Sequence, residues 1–374
     1  MKVWLDYSTI KDWNGTLTGI PRTVFSIEKA LSLLGYRYER VFINDELKSF
    51  YHLPADPKVE PHKIEKAQMS KGDILLSLGA TWAYACYNDE LSRLKCQGVQ
   101  YAQLYYDLIP TKFPYFYQQG SGFGEYYGKI LSETLDLCDL ALFISDCSKK
   151  DICDFYKGSN NFLTKVIRLG EDFDLLTNAK VPKATNLVEN NVDYIVCVGT
   201  LEKRKNQNML LDAYRLMLSS NCRDKVPSLY LVGREGWMNG DISFQIENDP
   251  LLNGKVQIFN DVSDTELEEL YDGSLFTVFP SLYEGWGLPI SESFKRGKAC
   301  LASNSSSMVE IAPELCILLN PHSPDEWATK ILELSSDRSK LHALIERIKA
   351  DYQPYSWKDT AKTIVKELKS IGYK

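Results

Sequence analysis

Glu284 and Glu292 bracket the run Gly285-Trp286-Gly287-Leu288-Pro289, and that combination of residue types can do binding chemistry. Carboxylates accept hydrogen bonds from sugar hydroxyls, while Gly285 and Gly287 let a ligand approach the backbone closely. The apolar, β-branched run Leu275 to Phe279 reads as a buried strand that Pro280 and Ser281 stop. A helix then starts with Pro289 in its first turn and ends before Gly297. Strand, glycine-rich turn and helix N-terminus together offer free N–H groups and a positive helix end to an anion. One reading is therefore a phosphate cradle with both carboxylates at the pocket mouth. The other is a buried turn carrying two surface glutamates, and this stretch alone leaves both open.

A second set of charges stands at a similar junction. Tyr194 to Val198 reads as a strand, Gly199 to Lys205 as a loop, and Gln207 to Leu218 as a helix with Asn206 as its cap. Arg204 and Lys205 close that loop, where they could neutralise a diphosphate through charge-assisted contacts worth roughly 1.5–3 kcal/mol. A solvated Lys-Arg-Lys turn is the alternative. Near the N-terminus, Gly15 and Gly19 lie in the loop Asn14 to Arg22, between a strand over Val3 to Leu5 and a helix over Thr23 to Leu34. Ligands bind at such carboxyl ends of strands in open α/β sheets, although a plain connection reads the same. Val99 to Tyr105 forms another strand that ends in Tyr106-Asp107-Leu108-Ile109-Pro110. The aromatic run Phe113 to Tyr117, with Phe123, Tyr126 and Tyr127, could stack on a sugar; packing is the preferred reading because aromatic side chains mostly fill cores.

Further strands are expected at Asp73 to Leu78, Leu140 to Ile144, Leu229 to Val232, Val256 to Phe259 and Ala299 to Ala302. Ser263-Asp-Thr-Glu266 and Ser323-Pro-Asp-Glu326 have the spacing of capping boxes. A helix begins at Ser145 or Asp146, and Ser356 to Ile371 is helical. Strands alternating with helices in both halves imply two doubly wound parallel sheets. Residues 178–192 lose apolar periodicity and read as a linker, dividing the chain into domains over 1–180 and 181–350 with a terminal helix over 351–374.

Composition narrows the function classes. The chain has 374 residues, 44% apolar and 25% charged, with net charge −7, and neither half is basic, which disfavours a nucleic-acid partner. Its nine cysteines are scattered without a CxxC pair, and its four histidines, His52, His62, His322 and His342, share no ligand spacing, so no metal is expected. No apolar run reaches membrane-spanning length, and the opening Met1-Lys-Val-Trp-Leu-Asp6 leads straight into a strand. A cytoplasmic location is the expectation.

In this order the segments resemble the retaining family-four glycosyltransferases of the GT-B fold. Glu284 to Glu292 resembles that family's E-x7-E motif, and Gly199-Thr-Leu-Glu-Lys-Arg-Lys-Asn206 its G-T-L-E-x-R-K-N signature. Asp107-Leu-Ile-Pro110, Tyr355-Ser-Trp357, Trp4-Leu-Asp6 and Thr18-Gly-Ile-Pro-Arg22 extend the likeness over nearly the whole chain. The resemblance implies an α/β fold of two Rossmann-like domains facing a central cleft, the first binding the acceptor and the second the nucleotide sugar, with the last helix packing back on the first. It implies metal-independent transfer, with retention, of a hexose to a hydroxyl of a glycan or undecaprenyl-linked acceptor in O-antigen or capsule synthesis. Mannose or rhamnose is the expected sugar, linked to GDP, dTDP or UDP as co-substrate, with no further cofactor and with peripheral contact at the inner face of the plasma membrane.

By matching position, Arg204 and Lys205 would hold the diphosphate and stabilise the leaving group. Glu292 would bind the ribose, Glu284 the donor sugar, and the amides from Gly285 through Trp286 and Gly287 to Leu288 the phosphate or sugar. Gly233 and Val262 would line the base pocket, and Gly19 would close over the diphosphate. Asp107 would lie near the reacting sugar, with Tyr106 and Arg22 on the acceptor side. Two positions depart from the pattern: Tyr106 stands where relatives carry histidine, and Thr200 where they carry arginine, a charge that Arg204 would supply. The rival classes are a sugar phosphorylase or epimerase of the same fold, and a catalytically silent scaffold subunit.

Overall fold

The computed structural model describes residues 2–372 except 12, 14–18, 55–63, 119, 160, 173–191 and 237–240. The expected linker, apart from Val192, and residues 14–18 of the first loop lie outside the described residues. The chain divides into two compact units, Met1–Lys112 with Gly122–Leu176 and Tyr355–Lys374, and Phe113–Ser121 with Thr177–Pro354.

In chain order the first unit contains β1 (Val3–Asp6), α1 (Ser8–Lys11), α2 (Gly19–Leu33), β2 (Glu39–Asn44), β3 (Ser49–His52) and β4 (Ile74–Ser77). There follow α3 (Tyr87–Cys96), β5 (Gln100–Tyr105), α4 (Ile109–Lys112), α5 (Phe123–Asp136), β6 (Leu140–Phe143), α6 (Asp146–Phe155) and β7 (Leu163–Val166). The strand order is β3-β2-β1-β4-β5-β6-β7. Central strands such as β4 are buried along their whole length, as helices on both faces of a parallel sheet require. The sheet is not wholly parallel, however: β3 runs antiparallel to β2. Asp45 to Lys48 is all that joins them, far too short for a crossover, so only a hairpin can form.

The first loop is also shorter than the sequence suggests. Helix α2 starts at Gly19 rather than Thr23, because Pro21 fits a first helical turn and Thr23 Oγ1 donates to the Gly19 carbonyl at 3.1 Å. Val24, Ile27, Ala30 and Leu31 form its buried stripe. At the end of β1, Asp6 accepts hydrogen bonds from Ser8, Ser77 and Tyr87, tying β1, β4 and α3 at one buried point.

The second unit contains β8 (Tyr194–Val198), α7 (Gln207–Leu218), β9 (Ser228–Val232), α8 (Ile242–Asn248), β10 (Val256–Phe259) and α9 (Asp264–Gly273). Then come β11 (Thr277–Phe279), α10 (Leu288–Lys295), β12 (Cys300–Ser303), β13 (Ile317–Leu319), α11 (Pro324–Ser336) and α12 (Arg338–Asp351). Its parallel sheet runs β10-β9-β8-β11-β12-β13, the doubly wound order in which connections diverge on either side of β8 and β11. Such a sheet opens a crevice outside the carboxyl ends of those two strands. Tyr214, Phe276 and Trp327, all fully buried, fill the core around it.

The Ser263–Glu266 capping box forms on α9, with the Glu266 carboxylate accepting from the Ser263 amide at 2.8 Å. The second expected box does not form. Ser323 makes no side-chain cap on α11, and Glu326 instead accepts from the Asn320 amide at 3.0 Å, because the preceding turn already sends the Ser323 N–H to the Asn320 carbonyl. Among the described residues no helix is long and apolar enough to cross a membrane. All nine cysteines are free thiols, five of them buried.

After Tyr355 the chain is part of the first unit again, where α13 (Trp357–Leu368) packs on α2. Trp357 is fully buried, its amide donates to Asp172 Oδ2 at 3.0 Å and its indole N–H to the Asp172 carbonyl at 3.2 Å. Thr360 Oγ1 adds a bond to the Arg168 carbonyl. A Cβ on Gly170 would stand 2.4 Å from the Trp357 nitrogen, so no larger residue fits without separating this junction. Gly170→Ala is expected to destabilise the protein by about 1–3 kcal/mol, read as a lower urea midpoint at unchanged slope.

Candidate active site

Two loops leave the carboxyl ends of β8 and β11, the strands on either side of the divergence, and the charged residues sit on them. After β8, Lys203–Lys205 form a single 3-10 turn and Asn206 follows in the left-handed region at φ 60°. After β11, Pro280 to Gly287 run to the start of α10, where Gly287 is the N-cap residue and Pro289 lies in the first turn. The Leu282 amide donates to the Arg204 carbonyl at 2.8 Å, which stitches the loops together.

Glu284 closes on both cations. Arg204 Nη1 lies 2.5 Å from Glu284 Oε2 and Lys205 Nζ 2.6 Å from Glu284 Oε1. Arg204 also donates to Glu202 Oε1 at 2.6 Å and to the Tyr283 carbonyl at 2.9 Å, and Lys205 lies 5.1 Å from the centre of the Phe279 ring. Burial pushes the Glu284 carboxyl up, but the adjacent Arg204 and Lys205 charges and the Lys205 hydrogen bond outweigh it and bring the pKa down to about 2. At neutral pH Glu284 is an acceptor only.

Two serines that the sequence did not single out, and Asn206 in a role other than the expected cap, hold this triad. Ser306 Oγ accepts from the Glu284 amide at 2.9 Å, and Ser307 Oγ lies 2.8 and 2.6 Å from the carbonyls of Glu284 and Trp286. Their only sequence signal is the hydroxyl-rich run Ser303 to Ser307. Asn206 was expected to cap α7, but it makes no side-chain cap. With its backbone left-handed, its amide nitrogen instead donates to the carbonyls of Pro280 and Pro321, at 3.0 and 2.8 Å.

The other expected residues of this unit are placed as follows. Glu292, inside α10, is buried and accepts from Tyr271 Oη at 3.0 Å, and Glu284 is buried too, so neither glutamate is a surface residue. Tyr271, on α9, had no sequence signal. Gly285 and Gly287 are buried, and Trp286 and Leu288 half-buried. The buried Trp286 indole N–H has no hydrogen-bond partner among the described residues. Thr200 is exposed, with its carbonyl accepting from Gln207 Nε2 at 2.9 Å. A Cβ on Gly233 would stand 2.3 Å from the Gly199 carbonyl oxygen, so the ends of β8 and β9 can approach only with glycine there. Val262, past β10, packs against the cluster of Tyr194 and Tyr230.

In the first unit, Tyr106 is buried and its hydroxyl donates to the Leu78 carbonyl at 2.6 Å. Asp107 Oδ1 accepts from the Ile109 amide at 2.9 Å and so starts α4. Gly19 is the exposed first residue of α2, and Arg22 is buried in the same helix.

Two Rossmann-like α/β units, one sheet parallel and the other parallel except for β3, make this a GT-B fold. Residues 182–351, a little under half of the chain, match the family described as Glycosyl transferases group 1. O-antigen chain mannosyltransferase B of Escherichia coli is 30% identical over 242 residues, 64% of this chain and 63% of the relative. The serotype-specific mannosyltransferase WbdA of Escherichia coli is 25% identical over 264 residues, 68% of this chain and 32% of the relative. The chain therefore spans less than two thirds of the length of either. Among solved structures, sucrose-phosphate synthase from Thermosynechococcus elongatus superposes with TM-score 0.71 at 17% identity, covering 99% of this chain and 98% of its own. Anabaena HepE, solved in complex with UDP and glucose, gives 0.69 at 16% identity, covering 99% of this chain and 100% of its own.

The depressed Glu284 pKa fixes the sign of a pH effect. Between about 4.5 and about 2 the unfolded chain binds the proton that the folded chain refuses, so this stabilisation is complete above about 4.5 and is lost as pH falls through about 2. Urea midpoints measured across that window are expected to fall less steeply with acid in Glu284→Gln than in the wild type.

Proposed function

We propose that this protein is a retaining glycosyltransferase that moves mannose from a nucleoside diphosphate sugar to a hydroxyl of a glycan or lipid-linked acceptor in surface polysaccharide synthesis. The observation that carries the reading is the pair of cations Arg204 and Lys205 held on Glu284 where β8 and β11 diverge, beside the start of α10. The glycosyl transferases group 1 match and the O-antigen mannosyltransferase relatives support it, and they favour mannose over rhamnose.

In this reading the diphosphate lies on the cations and the first amides of α10. Bond cleavage at the anomeric carbon leaves negative charge on the departing phosphate, and preorganised cations stabilise that charge where it develops. No metal is needed for this step. Glu284 keeps its role as a sugar contact because each oxygen is engaged by one cation and retains a lone pair for a donor hydroxyl. Being ionised, it cannot serve as the protonating acid of a hydrolase. Glu292, oriented by Tyr271, takes the ribose hydroxyls, and Gly233 and Val262 line the base site. Asp107 is assigned a catalytic place near the reacting sugar, Tyr106 and Arg22 the acceptor side, and Gly19 a contact to the donor diphosphate. The donor is GDP-, dTDP- or UDP-linked, and contact with a membrane surface brings the enzyme to a lipid-linked acceptor.

Lys205→Ala is expected to lower turnover by about 10²–10³-fold, the scale of losing one electrostatic donor to a developing charge. Glu292→Ala should instead raise the donor KM, by about tenfold for one hydrogen bond to a charged group. Mass spectrometry of released nucleoside diphosphate over a donor panel provides the assay. Wild-type turnover in Lys205→Ala, or sugar phosphate formed only when inorganic phosphate is added, would overturn the proposal.

A further inference from the structure

The segment Phe113–Ser121 groups with the second unit although its flanking helices α4 and α5 belong to the first. Its aromatic side chains form a cluster at the edge of the cation-bearing loops. The Phe113 ring is 4.6 Å from that of Tyr283, the residue before Glu284, and 5.6 Å from that of Phe116, which is buried. Tyr115 packs against Phe116 at 4.7 Å and against Phe113 at 6.0 Å. It is nonetheless 57% exposed, with Lys203 Nζ 5.5 Å from its ring centre.

Lys203 is the odd member of its triplet. Arg204 and Lys205 are both neutralised by carboxylates, whereas among the described residues the exposed Lys203 makes no ion pair and its ammonium lies over the Tyr115 ring. The Tyr115 hydroxyl likewise has no protein partner among the described residues. An accessible aromatic face packed against the Phe113 and Phe116 rings is thus combined with four unused N–H and O–H donors, three on the ammonium and one on the phenol. A pyranose has the matching chemistry, an apolar C–H face bounded by hydroxyls.

We propose that Tyr115 and Lys203 form a sugar-stacking subsite for the acceptor glycan, a proposal that rests on the transferase reading above. Donor-binding roles in that reading fall on other residues, Arg204, Lys205, Glu284 and Glu292. The platform lies on the connection between α4 and α5, outside the loops that carry those donor residues. Tyr283 couples the two sets, because its ring holds Phe113 while its carbonyl receives Arg204.

The test uses the full chain and a mannose trisaccharide as probe, with binding read by saturation-transfer NMR and GDP affinity by calorimetry. Tyr115→Ala should weaken trisaccharide binding by about tenfold, the scale of truncating a stacked aromatic anchor. Tyr115→Phe should keep it within about threefold, losing only one hydrogen bond, and Lys203→Gln should fall between the two. GDP affinity should be the same in all four proteins. Equal trisaccharide binding in Tyr115→Ala, no binding by the wild type, or a parallel loss of GDP affinity would overturn the subsite. The two proposals fail separately. If Tyr115 governs trisaccharide binding but no nucleotide sugar is turned over, a saccharide-stacking site stands without an acceptor role and the transferase reading falls. If sugar is transferred and Tyr115→Ala keeps the wild-type acceptor KM, the transferase reading stands and the subsite falls.

Discussion

Placing the Glu284 carboxylate in a buried loop is unfavourable until a positive charge meets it, and two do. Removing one partner of such a pair leaves an uncompensated buried charge, at a cost of about 3–5 kcal/mol. The surrounding backbone is organised to prevent that. Ser306 and Ser307 hold the main chain of Glu284 and Trp286, Leu282 binds the Arg204 carbonyl, and Asn206 spans the carbonyls of Pro280 and Pro321. The result is a pair of cations fixed in geometry before any ligand arrives, with their charge offset by the Glu202 and Glu284 carboxylates of the same unit.

The sheet order explains why those residues can meet at all. Arg204 and Glu284 are far apart in the chain, yet β8 and β11 are neighbours in the sheet. Their connections leave in opposite directions, so the loops after both strands border one crevice. The close approach of Gly233 to Gly199 keeps the neighbouring β9 edge tight. A third contribution comes from Phe113–Ser121, a short segment whose rings extend the same surface beyond Tyr283.

Much of this was legible in the residues. The strands at Tyr194, Leu229 and Leu275 announce themselves through nearly continuous apolar runs, as strands buried on both faces must. Pro289 and Gly297 delimit α10, and the Ser263 box delimits α9. Less legible were β2 and β3, where a four-residue turn makes a hairpin inside an otherwise alternating pattern. The start of α2 was obscured because Gly19 and Pro21 look like loop residues, although a first helical turn accepts both. Asn206 and Ser323 have the right types for caps, but their side chains or their neighbours found other partners.

The sequence by itself determined the alternation of strands and helices, the glycine-rich junctions, and the residue types of the candidate site, because these follow from local periodicity and backbone freedom. It could not decide whether Glu284 and Glu292 were surface residues or buried ones, nor that Glu284 would face Arg204 and Lys205 while Glu292 would face Tyr271. Those pairings depend on strand order and on which loops share one end of a sheet. The protonation state of Glu284 depends on them in turn, since a carboxyl group responds to the charges and burial around it in space rather than to its neighbours in the chain.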